Sequence, residues 1–271
     1  MNKVLKKKPL LFSHRGGAGL FPENTLYAFR QSVNLYKADF LELDIHAARD
    51  GELVVIHDNT VDRTTNGSGL VGEMTLEQLK KLDAAWHFTK DQGKSFPYRG
   101  RGITIPTLRE VFEEFEKEDV GINIEIKRSY PNIEIKLYNL IVGCNMTDKV
   151  LVTSSHVPIL NRFRQLNKRG IAVGAHALDS LNAYVLNLLH LGKLFKPKYS
   201  ALQVPYVFRG MIRVVNESLV KLCKSKNIEL HVWTINDVET MKKLIDMGVD
   251  GIMSDYPDRL YQVFHEYGFK N

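Results

Sequence analysis

The chain has 271 residues, 44% of them hydrophobic, with 37 Lys and Arg against 31 Asp and Glu. That supplies a full core for one large domain or two small ones and excludes a disordered chain. The net charge of +6 would help attract an anionic substrate or surface without implying nucleic acid, and the two cysteines, Cys144 and Cys223, give neither a disulfide framework nor a zinc pattern.

Metal binding, where present, therefore falls to oxygen ligands or histidine. The start carries Lys3, Lys6, Lys7 and Lys8, and the apolar stretch Leu10–Phe12 behind it is too short for a signal-peptide core. No segment approaches the ~20 apolar residues of a membrane helix, so a cytoplasmic chain is expected.

In chain order, Pro9–His14 reads as a first strand and Thr25–Tyr36 as a helix. Asp39–His46 is a second strand, and Glu52–His57 a short extension after a turn at Asp50-Gly51. The segment 59–106 breaks the rhythm: it is too long for a strand-to-helix loop and holds a helical piece near Leu76–Leu82. Leu108–Glu118 is helical, with Leu108, Val111, Phe112 and Phe115 on one face. Val120–Lys127, Val150–Ser154, Ile171–His176, Ala201–Pro205, Glu229–Ile235 and Gly251–Asp255 supply strands three to eight. Helical stretches fall at Ile133–Val142, Val157–Lys168, Ser180–Leu191, Ser218–Lys226 and Val238–Met247, the last with Asp237 as N-cap and Gly248 as its stop. This alternation fits an α/β chain folded as a single (β/α)8 TIM barrel, with the insertion 59–106 after strand two expected over the active-site mouth. A doubly wound sheet uses the same units, but no dinucleotide fingerprint is present: Gly16-Gly17-Ala18-Gly19 has the wrong spacing.

Polar residues interrupt the apolar strands in a pattern. Glu42 and Asp44 are two apart in Phe40-Leu-Glu-Leu-Asp-Ile45, so both project from one face, and Glu125 and Lys127 repeat this in Ile122-Asn-Ile-Glu-Ile-Lys127. His14 ends the first strand and His57 the extension after the second. Any one of these taken alone reads as a solvated or core residue. Parallel barrel strands, however, are covered outside by helices, so together the six positions point into the barrel. Inward carboxylates on neighbouring strands are costly unless neutralised, and one divalent cation on Glu42, Asp44 and Glu125 would do so. All-oxygen ligation favours Mg²⁺ or Ca²⁺, with Mn²⁺ also possible.

Ser13-His-Arg-Gly-Gly17, Pro22-Glu-Asn-Thr25, Glu42-Leu-Asp44, His57-Asp58, Asn123-Ile-Glu-Ile-Lys127, His231–Asp237 and Gly248–Asp255 together resemble the glycerophosphodiester phosphodiesterase family, from about Leu11 to Leu260. The resemblance implies a TIM barrel that hydrolyses glycerophosphodiesters to an alcohol and sn-glycerol 3-phosphate with a divalent metal. It implies Glu42, Asp44 and Glu125 as metal ligands and His14 and His57 as the general acid/base pair. Arg15 and Lys127 would hold the phosphate, with Glu23 in support. Trp233 is open between a wall of the glycerol pocket and barrel core. Asn24 reads as an N-cap candidate beside Thr25, and Asp255 as an organiser of the loop before Pro257. His46, His156 and His176 read as structural.

The insertion interleaves Trp86, Phe88, Phe96 and Tyr98 with Lys90, Lys94, Arg99 and Arg101. That is either a satellite core with a basic face or a lip in transient contact with a lipid surface, and Lys193–Tyr199 has the same character. Two functions compete with the leading one: a lysophospholipase D acting on lysophospholipids, as some relatives in the family do, and a non-catalytic barrel that binds phosphodiesters or a membrane. The basic residues are dispersed and no nucleic-acid motif accompanies them, so the expected partner is a small-molecule diester, with no protein partner implied.

Overall fold

The computed structural model describes residues 8–127 and 130–270. Lys3, Lys6 and Lys7 of the basic start lie outside the described residues.

The barrel strands are β1 (Leu10–Ser13), β2 (Phe40–Ala47), β4 (Gly121–Ile126), β5 (Val150–Thr153), β6 (Ala172–Val173), β7 (Ala201–Pro205), β10 (Glu229–Trp233) and β11 (Gly251–Ser254). They pair in parallel in the order β6-β5-β4-β2-β1-β11-β10-β7, and a parallel bridge between Gly174 and Ala201 joins β6 to β7 to close the ring. A short β3 (Leu53–Val55) runs back antiparallel along β2, with Ile45 opposite Val55.

Each barrel strand is followed by a helix: α1 (Leu26–Tyr36), α3 (Leu108–Phe115), α4 (Ile133–Gly143), α5 (Val157–Leu166), α6 (Ala177–Leu188), α7 (Glu217–Ser225), α8 (Val238–Met247) and α9 (Pro257–Glu266). A one-turn α2 (Leu76–Lys80) lies in the insertion, and a two-stranded hairpin, β8 (Val207–Phe208) with β9 (Ile212–Arg213), follows β7. Among the described residues no helix is long and apolar enough to cross a membrane.

The strand period of two sorts the side chains into two cores. Leu41, Leu43, Ile45, Ile122, Ile124 and Ile126 point outward and pack with Val111, Phe112 and Phe115 of α3 and the other helices. Leu10, Phe12, Phe40, Leu151, Ala172, Ala201 and Met253 form a separate cluster inside the ring. Gly121 belongs to this inner layer because any β-carbon there would collide with the Phe40 ring. Beside these apolar residues, with the His231 ring 4.6 Å from that of Phe12, a polar chain crosses the interior. His231 donates from Nε2 to Glu229 at 2.9 Å, and Gln203 donates to His231 Nδ1 and to Asn123 Oδ1, each at 3.1 Å. Strand phase brings Glu42, Asp44, Asn123 and Glu125 to the inner face as well, in two successive pairs.

The element boundaries differ from the sequence reading where side chains redirect the backbone. Helix α6 starts at Ala177 rather than Ser180 because His176 and Asp179 form a reciprocal cap, Asp179 N donating to His176 Nδ1 at 3.1 Å. Helix α9 is not delimited by the sequence reading, although Pro257 in its first turn and Leu260, Val263 and Phe264 at helical spacing mark it. The hairpin is also unforeseen: Arg209 and Gly210 both take positive φ, 51° and 71°, as a tight two-residue hairpin turn requires.

The insertion has its own small core, in which Val61, Val71, Leu79, Ala84 and Ile105 pack with Ala48, Val54 and Ile56 beside β3. Arg99 lies between Trp86 and Phe96, 4.2 and 3.9 Å from their ring centroids, and Tyr98 packs on Phe88 and Tyr27. This is packing of the satellite-core kind.

Candidate active site

The strands end at a cavity of about 730 Å³ whose lining includes His14, Arg15, Glu42, His57, Glu125 and Lys127. Asp44 lies beneath this surface, 1% exposed. Register places Asp44 beside Glu125 and Glu42 beside Asn123 across the β2–β4 pair. As a result one carboxylate oxygen from each of Glu42, Asp44 and Glu125 lies within 4.8 Å of the other two.

The crowding of these acids shows in Glu42. Burial and then the neighbouring Asp44 charge push the Glu42 carboxyl up to about 8. A divalent ion fits this donor set, three oxygens converging from two adjacent strands, and these residues could hold one. The second layer fits it too. Asn24, buried with φ 56°, donates from Nδ2 to Asp44 Oδ2 at 2.9 Å and accepts from Asp44 N at 3.3 Å. The N-cap expectation for Asn24 is therefore corrected: Thr25 alone caps α1, accepting from Ala28 N at 3.2 Å, and Asn24 braces a carboxylate.

The turn after β1 builds the next part. Ser32 of α1 anchors it by donating to Gly16 O at 2.9 Å, and Gly16 takes φ 78° where a β-carbon would strike Phe29 and Ala28. Arg15 sits at φ 50°, a conformation that costs a non-glycine residue of order 1–3 kcal/mol. In it, Arg15 N donates to Glu42 Oε2 at 3.0 Å. The guanidinium turns into the site, with Nη1 donating to Glu23 at 3.2 Å and Nε 3.4 Å from Asp44 Oδ2, where Nε is buried without a hydrogen bond. Lys127 Nζ lies 3.2 Å from Glu125 Oε2 and 3.5 Å from Asp44 Oδ1. Burial alone would lower the lysine pKa, but these carboxylates outweigh it and raise it, so the ammonium stays charged.

His14 and His57 are each gripped through Nδ1, whereas His176, the third histidine of the lining, caps α6 instead. His14 Nδ1 is 2.6 Å from Asp255 Oδ1, and His57 Nδ1 is 2.6 Å from Asp58 Oδ1. Burial would raise both aspartates, but their hydrogen bonds lower them, Asp58 to about 2. Ionised carboxylates only accept, so each Nδ1 carries the proton and each Nε2 is left for the cavity. His14 Nε2 is 3.8 Å from Glu42 Oε2, and although burial would lower the His14 pKa, the Glu42 and Asp255 charges raise it.

Glu23 belongs to a bridge above the site. Arg63 of the insertion donates to both Glu23 oxygens at 2.8 and 2.7 Å and from Nε to Asp58 at 2.7 Å. Burial would raise the Glu23 pKa, but Arg63 and Arg15 lower it. Trp233 lines the cavity and is 42% exposed, so it is not barrel core. The structural histidines serve as supports: His46 donates to His57 O and His156 to Lys127 O, each at 3.0 Å. Trp86, Phe88, Phe96 and Tyr98 are not among the lining residues. The outer wall comes instead from α6 and the hairpin, through Leu181, Tyr184, Phe208 and Ile212.

Sequence reasoning gives Asn24 a capping role and Asp255 a loop-organising one, and names no role for Arg63. Only the short spacings His57-Asp58 and Glu23-Asn24 carried a signal for such contacts.

A family model described as the glycerophosphoryl diester phosphodiesterase family matches residues 14–259. A glycerophosphodiester phosphodiesterase of Caldanaerobacter subterraneus subsp. tengcongensis is 38% identical over 265 residues, covering 96% of this chain and 100% of the relative. A lysophospholipase D of Homo sapiens is 27% identical over 277 residues, 94% of this chain and 86% of its own. Among solved structures, an Oleispira antarctica phosphodiesterase in complex with the product sn-glycerol-3-phosphate superposes with a TM-score of 0.72 at 26% identity, covering 95% of this chain and 97% of that one. Motifs, barrel and comparisons agree, and the chain belongs to the glycerophosphoryl diester phosphodiesterase family of hydrolases.

Proposed function

We propose that this barrel hydrolyses glycerophosphodiesters to an alcohol and sn-glycerol 3-phosphate, with Glu42, Asp44 and Glu125 holding one Mg²⁺, Ca²⁺ or Mn²⁺ ion. The observation that carries the reading is the pair of imidazoles, each fixed through Nδ1 at 2.6 Å, lining one cavity with the carboxylates. A bound divalent cation supplies positive charge against the phosphate's non-bridging oxygens, where charge grows in the transition state. Arg15 and Lys127 add fixed positive charge beside it. Of the two histidines, one takes at its Nε2 a proton from the attacking oxygen, either that of water directly or that of a glycerol hydroxyl whose cyclic phosphate water then opens. The other gives a proton to the departing alkoxide, so the P–O bond to the alcohol breaks as the new one forms. Glu23 keeps the Arg15 guanidinium turned inward, and Trp233 walls the glycerol side.

Insertion 59–106 is assigned to the mouth, where Arg63 ties it to Glu23 and Asp58. Free Cys144 and Cys223 are in keeping with a reducing, cytoplasmic compartment.

One feature favours a second reading, lysophospholipase D activity at the same site: the wall made by Leu181, Tyr184, Phe208 and Ile212 is apolar, as an acyl chain would require. The test is release of glycerol 3-phosphate from glycerophosphocholine, and of choline from lysophosphatidylcholine, with each metal and with chelator. Metal-dependent release from the first substrate supports the leading reading. Choline release from the lysolipid alone would transfer the protein to the second, and silence on both would leave a binding barrel.

A further inference from the structure

Helix α6 is turned the wrong way for a barrel helix. Its buried residues are only Ala183 and Asn187, whereas Leu178, Leu181, Val185, Leu188 and Leu189 are exposed. Those five fall within one arc of the helix at i, i+3, i+7, i+10 and i+11, the apolar stripe that normally faces a core. Leu191 and Leu194 extend the stripe past the far end of the helix, and at its mouth end, beside Leu181, the hairpin exposes Val207, Phe208, Met211 and Ile212 as well. Met211 sits beside the two-residue turn at 83% exposure, and Leu188 is 62% exposed. Contiguous exposed apolar surface of this kind marks an interaction site.

We propose that this side of the barrel, along α6 and the hairpin, docks onto an anionic lipid surface and brings the rim of the cavity to it. Two observations select that occupant. The first is charge: residues 180–216, which run down α6 and back up β7 to the hairpin, contain Lys193, Lys196 and Lys198 at the far end, Arg209 and Arg213 at the mouth end, and no Asp or Glu. A second copy related by a two-fold axis would bring this uniformly basic segment against itself, while anionic headgroups complement it. The second is continuity. Leu181, Phe208, Ile212 and Trp233 belong both to the exposed surface and to the cavity wall, so a protein seated there would plug the mouth. A lipid surface would deliver diesters to it. Apolar side chains inserted at the headgroup boundary with lysines and arginines around them are the usual make-up of an interfacial element.

Lipid binding requires no chemistry at the site, but the benefit of docking rests on the phosphodiesterase reading. The experiment therefore reads the two separately: co-sedimentation with vesicles of pure phosphatidylglycerol or pure phosphatidylcholine, and turnover of water-soluble glycerophosphocholine. Wild-type protein should sediment with phosphatidylglycerol and much less with phosphatidylcholine. Leu188→Asp combined with Met211→Asp, both outside the cavity lining, should weaken vesicle binding by about tenfold or more while soluble turnover is unchanged. Lys193→Glu with Lys196→Glu should erase the preference between the two lipids, as added salt should. Failure of the wild type to sediment overturns the proposal, and so does a dimer in solution that the Asp variants disperse. A chain that binds vesicles but hydrolyses no diester upholds the docking face and overturns the reaction instead.

Discussion

His14 Nδ1 and Asp255 Oδ1 are 2.6 Å apart although 241 residues separate them. The contact follows from barrel closure: β1 and β11 pair with Ser13 beside Ser254, so the residues just beyond both strand ends must meet. Asn236, in the loop after β10, fixes the carboxylate, donating to Asp255 Oδ2 at 2.8 Å and accepting from Asp255 N at 3.0 Å. His57 obtains the same grip from its immediate neighbour Asp58. The two imidazoles are thus presented alike, one by topology and one by a dipeptide.

If Asp255 sets the tautomer and direction of His14, Asp255→Asn should keep the fold and lose activity. A neutral amide can present its N–H to Nδ1 and reverse the tautomer, which moves the proton to the cavity side. The expected loss is about 10²–10⁴ in kcat, comparable with His14→Ala, and the double variant should lose little more than either single change. Additive losses would show that Asp255 acts elsewhere.

Asn24→Ala tests the support beneath the carboxylates. The change leaves Glu42, Asp44 and Glu125 in place but frees the Asp44 side chain, so affinity for Ca²⁺ or Mn²⁺, measured by titration calorimetry, should fall about 10–100-fold. The caps of α1 should be unaffected because Thr25 supplies them. Chelator treatment of the wild type should abolish turnover, and restoring the ion should return it. An unaltered affinity in Asn24→Ala would make the residue a loop brace only.

Much of this arrangement is legible in the sequence because strands have a period of two. Glu42, Asp44, Glu125 and Lys127 betray themselves as polar positions spaced by two inside apolar runs, and the alternation of strands and helices leads to the barrel. The pairing of His14 with Asp255 is not local and has no spacing to read. Asn24 misleads because the same residue type serves helix caps, and a cap stands next to it in Thr25. Arg63 lies in a turn-rich insertion with no period at all. The apolar stripe of α6 is visible as a helical pattern, but period reveals only that one face is apolar. Whether protein or something else covers that face is decided by tertiary packing.

The cysteines give a prediction about chemistry away from the site. Cys223 is fully buried in the helix–strand core, and burial pushes its thiol up to about 12, whereas Cys144 is half-buried beside Arg109. At pH 8 only about one part in 10⁴ of Cys223 would be thiolate, on top of its lack of access. Ellman's reagent should therefore titrate one thiol in the native protein and both in denaturant. Rapid reaction of both under native conditions would show that the α7 region opens readily.

Arg63 carries the pH dependence of the mouth. It bridges Glu23 and Asp58, and both carboxyls are held below their ordinary values because its hydrogen bonds outweigh the effect of burial, Asp58 at about 2. A group with a depressed folded pKa binds its proton more weakly in the native state than in the unfolded chain. Its stabilisation is therefore complete above the unfolded value near pH 4–4.5 and is lost as pH falls toward 2. Arg63 is half exposed, so solvent screening limits the contribution to up to about 1 kcal/mol, or about 2–4 °C in melting temperature. Arg63→Met should lower the melting temperature by about that much at pH 6, and its melting curve should decline less steeply than that of the wild type between pH 4 and pH 2. Parallel declines across that window would mean that the acid sensitivity resides in other carboxylates, such as Asp255 on His14, and that the bridge holds the insertion without contributing to it.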